Sequence, residues 1–340
     1  MSTNKQIVWW TPAAWLVMAC FSQGAGAQEG DPEQGGEATV VATTNRFHFR
    51  SDFRMNLHDY LYFVARRDTS RGVRTLERCP GTVPAVARDR WLRSVEVYVD
   101  SLAQLGAFDR PMIDIRFVLS GLPGHGMTMP DWADRAMQDA EQVYRTCVWD
   151  AQDERNRVWA TTTAELVQRF EARIAARLEE LYRVDWEETP IRVDLVTYVS
   201  RQGANTVTNP DHILVSTSDE DYKEYGGLEM VFHEASHTLI GPRRGPISEA
   251  LVVAAAELGT TPHRDLWHVV LFYTTGMTVR NILKEELRVD YEPYIYSTGL
   301  FDRAWPELRD AVERHWTPYV EGQQGYKEAA GALVRALTQE

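Results

Sequence analysis

No block of clustered lysine and arginine occurs anywhere in the 340 residues, and the formal net charge is −13. A nucleic-acid partner asks for a concentrated cationic face, so that class of partner is set aside and the acidity is read as serving solubility. Beyond residue 27 there is also no uninterrupted apolar run of about 18 residues, the length a membrane-crossing helix needs. Cysteine is scarce, with Cys20, Cys79 and Cys147 making up the whole set. Glycine and proline vanish from Asp131 to Thr189 and again from Leu228 to Ile240, so nothing in either stretch breaks a helix. What is present is ordinary globular composition, 44% hydrophobic and 25% charged, at a length that suits one large domain or two lobes.

The first 27 residues read as a cleaved secretory signal peptide. Lys5 precedes the apolar run from Ile7 to Phe21, and Ala25-Gly26-Ala27 offers small residues for cleavage ahead of Gln28. The mature protein is then expected to be soluble, without a transmembrane segment, and secreted or periplasmic. Val17-Met18-Ala19-Cys20 gives an alternative, a lipobox-like stretch in which Cys20 would be acylated and kept as an anchor, although Met18 fits that pattern poorly. An oxidising compartment permits a bridge between Cys79 and Cys147; two unrelated buried thiols are the other reading. Residues 28–44, rich in Gly, Glu and Gln, are expected to form a mobile leader.

The remainder reads as an α+β protein, predominantly helical, with a helical lobe over 45–189 and a chemical lobe over 190–340. Phe47 and Phe49 alternate as in a strand, and from Phe53 to Arg66 the apolar residues fall at helical spacing. Asp52, Asn56, His58 and Asp59 are interleaved with them; solvated or hydrogen-bonded helix positions are the reading favoured over a second polar site. Ala85 to Leu105 is expected to be an amphipathic helix, Pro111 to Leu119 a strand, and Asp131 to Thr189 one or two long helices broken near Asp150 or Thr161 to Thr163. After Pro190 the texture changes. Ile191 to Val199 and His212 to Thr217 read as strands that could pair, directly before the most informative stretch of the chain.

That stretch is His233-Glu234-Ala235-Ser236-His237, inside an apolar helical segment. Residues four apart share a helix face, so both imidazoles point at one place, and Glu234 can lean over the same place without binding there. Two neutral imidazoles holding zinc, with a free carboxylate to take a proton from metal-bound water, is the arrangement of a zinc hydrolase. A catalytic zinc ion has three protein ligands and an open position. The next helix begins after Gly241-Pro242, and reflecting the chain about position 243 sets Glu249 opposite His237. Glu257 is the competitor, eight residues on and therefore roughly 12 Å away at 1.5 Å per residue. For stabilising an oxyanion, His268 is the first candidate, with a buried structural histidine as the equal alternative; Tyr273 and Tyr296 follow.

His233-Glu234-x-x-His237 followed by Ser248-Glu249-Ala250 resembles the gluzincin zinc metallopeptidases of the peptidase MA-like superfamily, over roughly residues 228–257. The resemblance implies a thermolysin-like catalytic lobe with a strand hairpin before the histidine helix and an edge strand that holds the substrate backbone. It also implies one zinc ion on His233, His237 and Glu249, with Glu234 as general base and a peptide or protein as substrate. The gap from His237 to Glu249 is shorter than in thermolysin-like enzymes, whose spacing Glu257 matches better. The metzincin pattern is excluded because position 243 is arginine. Two other readings stand beside the peptidase: a non-catalytic zinc-binding or substrate-holding protein on the same scaffold, against which the presence of Glu234 speaks, and a helical envelope protein with a coincidental motif.

Overall fold

The computed structural model describes residues 39–339 except 68–69, 123–125, 201–202 and 209–210. The signal peptide read over 1–27 lies outside the described residues, as does the leader up to residue 38. The last part of the expected leader is ordered: Thr39–Thr43 is strand β1, followed by β2 (Phe47–Ser51), β3 (Ile191–Val196), β4 (Ala204–Val207) and β5 (His212–Ser216). These make one sheet in the order β1-β2-β3-β5-β4, parallel across β2, β3 and β5, with β1 and β4 antiparallel at the edges. The strands read over Ile191 to Val199 and His212 to Thr217 do pair, Arg192 facing His212, but in parallel. A parallel pair cannot be closed by a tight turn, so the hairpin before the histidine helix is made by β4 and β5 instead.

The helices are α1 (Phe53–Arg67), α2 (Ser70–Glu77), α3 (Ala85–Leu102), α4 (Arg110–Ser120), α5 (Asp131–Tyr144) and α6 (Asp150–Tyr182). After the sheet come α7 (Glu224–Ser236), α8 (Pro246–Glu257), α9 (Leu266–Leu287) and the shorter α10 (Tyr294–Ser297), α11 (Leu300–Ala304), α12 (Pro306–His315) and α13 (Thr317–Val320), closed by α14 (Tyr326–Gln339). The molecule is thus α+β and predominantly helical, as expected. No helix among the described residues is long and apolar enough to cross a membrane. The stretch without glycine or proline is helical from Asp131 to Tyr182, with a π-type turn at Arg145–Trp149 just before Asp150. Cys147 sits in that turn and is bridged to Cys79. One expectation fails: the segment read as a strand from Pro111 to Leu119 is helix α4. Pro111 stands in its first turn and Gly121 closes it at φ 64°, a proline-before, glycine-after bracket that favours helix, and Met112, Ile115 and Arg116 bury one helical face.

One face of the sheet, with Phe47, Phe49, Val193, Leu195, Ile213 and Val215, packs into the main apolar core with α6, α7 and α9. Strands from both sides of position 189 therefore share a sheet and a core, and residues 36–340 form a single compact unit. The opposite face carries buried charge. Arg192 donates to both oxygens of Asp194 at 2.7 and 3.0 Å, and His212 Nε2 lies 2.6 Å from the same carboxylate.

The polar residues read along α1 are hydrogen-bonded, but they are buried rather than solvated. Asp52 accepts from the Met55 amide at 2.7 Å, Asn56 donates to the Leu195 carbonyl at 2.9 Å, and His58 Nδ1 lies 3.0 Å from the Tyr98 hydroxyl. Asp59 pairs with Arg116, both 1% exposed, while Arg116 also donates to the Val199 carbonyl at 2.7 Å. Burial raises Asp59 to about 6, against the opposing pull of Arg116. Breaking such a pair from one side leaves a buried charge uncompensated. Arg116→Leu is accordingly expected to cost about 3–5 kcal/mol in urea unfolding, with part recovered when Asp59→Asn is added. A loss below about 1 kcal/mol in the single variant would show that the pair is not needed to hold α1, α4 and the end of β3 together.

Candidate metal centre

Every residue of α7 from Gly227 to Ser236 is buried. A helix buried all round has no solvent face on which to place its polar side chains, so each of them must find a partner inside the protein. Glu229 accepts from the Tyr291 hydroxyl at 2.8 Å and from the Tyr294 amide at 3.1 Å. Glu234 accepts from the Thr206 hydroxyl of edge strand β4 at 2.6 Å. His233 and His237, four residues apart, face α9. There the ring of His268 meets them, with centroids 5.5 Å from His233 and 5.1 Å from His237, while those two rings are 5.1 Å apart.

One ligand atom from each of these three imidazoles lies within 4.8 Å of the other two. The group could hold a metal ion. Among the described residues, Nδ1 of His233 and Nε2 of His268 find no hydrogen-bond partner although both are buried, which sets this group apart from the satisfied polar side chains around it. Burial, together with the neighbouring rings, holds His233 well below the usual imidazole range. Burial, then His268 and the charge of Arg244, lowers His237 to about 3, and burial lowers His268 to about 4. All three are thus neutral at physiological pH, the form that binds metal. A tetrahedral zinc ion would bring its nitrogens to roughly 3.3 Å from one another, a modest contraction for side chains of this length. His237 and His268 are half-buried, so the group opens to the surface on their side.

Aromatic rings wall the group. Phe272 stacks on His233 at 3.6 Å, Trp267 on His268 at 5.0 Å, and Trp305 meets His268 edge-on at 5.7 Å. Tyr294 lies parallel to Phe272 at 6.1 Å, held there by the hydrogen bond that its backbone N–H donates to Glu229. That approach requires a glycine at 276, where a Cβ would come within 2.7 Å of Pro293 and 3.0 Å of the Glu229 carboxylate. Glu234, 5% exposed, is raised to about 7 by burial, with the Thr206 hydrogen bond pulling the other way.

His233 and His237 meet on one side of the helix, as their spacing predicts, and Glu234 follows His233 with its carboxylate on Thr206. Glu249 does not join them: it is exposed on α8, as is Glu257. Glu249 is not opposite His237 because α8 does not fold back along α7. It packs chiefly against α14, and α9 takes the place beside α7. His268, expected as an oxyanion donor, is instead the third member of the imidazole group. Tyr273 and Tyr296 stay outside the group. The Tyr273 hydroxyl bonds Thr317 and that of Tyr296 donates to Glu313 at 2.9 Å. Position 273 is five residues past His268 and so points well away around the helix, whereas Phe272, four residues past, shares its face. Thr206 and Glu229 carry no sequence signal for the site, whereas Phe272, in the apolar surroundings of His268, is placed on the same face by its spacing of four. Compared with known proteins, the chain matches no family model, no curated protein and no solved structure.

Glu229 yields a pH prediction. Burial raises its carboxyl from 4.5 to about 7, so between those values the folded protein binds a proton that the unfolded chain has released, and stability falls as pH rises. Glu229→Gln removes this group from the balance. Metal-free wild type, compared with the variant in urea titrations across that window, is expected to lose up to about 3 kcal/mol relative to it. A constant difference across the window would assign the ionisation elsewhere.

Proposed function

We propose that the chain is an exported zinc-dependent hydrolase, a peptidase, in which His233, His237 and His268 hold one zinc ion and Glu234 is the general base. The observation that carries this reading is the convergence of three neutral imidazoles; the buried carboxylate of Glu234, next to His233 in the chain, is not one of the group and supports it. Zinc held there would polarise a carbonyl and bring the pKa of a water toward 7. Glu234, itself near 7, can take a proton at neutral pH and return it to a leaving amine. Thr206 fixes the carboxylate against β4, and an edge strand beside a metal centre suits a substrate that lies extended along it. Trp267 and Trp305 offer apolar surface for its side chains.

The histidine motif on α7 and the flanking edge strand support a thermolysin-like arrangement. A histidine on α9, where the gluzincins use a glutamate on the next helix, sets the chain apart from that branch. Export rests on the signal-peptide reading of residues 1–27, with acylation at Cys20 as its alternative, and the Cys79–Cys147 bridge fits an oxidising compartment.

Metal analysis of purified protein is expected to find about one zinc per chain. His233→Ala, His237→Ala and His268→Ala should each remove most of it, while Glu249→Ala and Glu257→Ala keep it. Full occupancy in the His268 variant, with loss in the Glu249 variant, would restore the glutamate as ligand. Glu234→Gln should bind zinc and fold normally, yet cleave unstructured peptides about 10²-fold more slowly or worse. If wild type holds zinc and cleaves no peptide or protein substrate, the peptidase reading gives way to the non-catalytic one.

A further inference from the structure

Arg244 stands in the short connector between α7 and α8. Its backbone is pinned by paired bonds with Gly241, at 3.1 and 3.2 Å, and its exposed side chain turns back over the end of α7. The guanidinium lies 3.3 Å from the carbonyl oxygen of His237, 3.4 Å from that of Thr238, and 2.9 Å from the Thr208 hydroxyl. All three acceptors are neutral. Arg264 and Arg309 are matched with carboxylates, Arg264 with Asp265 and Arg309 with Asp302 and Glu313. Among the described residues no such ion pair is made by Arg244. In a chain of net charge −13, this is a local positive charge resting on the backbone of a metal-site histidine.

Its place along the edge strand gives the charge a meaning. Thr208 comes just after β4 and two residues after Thr206, which bonds Glu234. Two residues of extended chain span at most roughly 7 Å. The guanidinium, bonded to Thr208 in the turn that follows β4, is therefore about two residues of chain beyond Thr206, the partner of the carboxylate that would act as base. A substrate lying along β4 with its scissile carbonyl at Glu234 presents Arg244 with a group about two residues away. An arginine with free N–H donors binds a carboxylate there by charge-assisted, two-pronged hydrogen bonds.

We propose that Arg244 is a specificity residue that selects peptides carrying a carboxylate about two residues from the bond to be cleaved. This rests on the peptidase reading. The carboxylate has two sources, an acidic side chain or the free C-terminus, depending on which way the substrate runs along β4.

The test uses the mature zinc-loaded protein and quenched fluorescent peptides in which each position near the cleaved bond is Glu or Gln, made with a free or an amidated C-terminus. Wild type is expected to favour the carboxylate at one position by about 10-fold or more in kcat/KM. A Glu-over-Gln preference identifies a side chain, and an acid-over-amide preference the chain end. Arg244→Gln should bring the ratio to within about twofold, and Arg244→Glu should shift the preference to Lys at the same position, with zinc content measured in each variant to show that the site is intact. Equal cleavage of charged and neutral peptides by wild type overturns the proposal while leaving the peptidase reading in place. A preference that survives both substitutions in zinc-replete protein overturns it as well. If no peptide is cleaved at all, the peptidase reading falls and this inference falls with it.

Discussion

The burial of α7 on every side from Gly227 to Ser236 is the constraint on which the rest of the structure depends. A helix enclosed by the sheet, α6 and α9 contributes apolar surface through Leu228, Met230, Val231, Phe232 and Ala235, and that burial drives it into place. The same enclosure makes each of its polar side chains costly unless matched. Thr206 answers Glu234, the loop at Tyr291 to Tyr294 answers Glu229, and Ser236 donates to its own helix at the Phe232 carbonyl. Among the described residues no donor or acceptor answers His233 and His237, only another imidazole and aromatic faces. The chemistry of the site follows from that exception.

Burial also sets the protonation states that the chemistry would use. In low-polarity surroundings imidazoles are held neutral and carboxyls are pushed up, which leaves the rings of His233, His237 and, from α9, His268 neutral and the carboxyl of Glu234 poised near neutrality. The cost of keeping these groups inside falls on the rest of the fold. Aromatic packing by Phe272, Trp267 and Trp305 fixes the rings, and the buried ion groups behind the sheet tie the N-terminal helices to the strands through Arg116 and Arg192.

Much of the fold was legible because it rests on local signals. Long runs without glycine or proline became α5 and α6, the period-two stretch after Pro190 became β3, and the amphipathic stretch from Ala85 became α3. The misreading at α4 arose where an apolar run was too short for its period to decide, although the bracketing proline and glycine held the answer. The pairing of β3 with β5 in parallel was out of reach, because strand direction is set by long-range contacts and not by pattern.

The order of residues alone determined that His233 and His237 share one helix face with Glu234 beside them, since helical geometry over four residues needs no tertiary partner. It also put both an acidic residue on the following helix and a histidine further on within reach of that face. Which of them completes the group was decided only in three dimensions. The direction in which a helix leaves a tight connector depends on where its apolar face finds a match, and for α8 that match is α14. With α8 drawn away, α9 packs against α7, Glu249 is left in solvent, and His268 is the side chain that meets the two histidines.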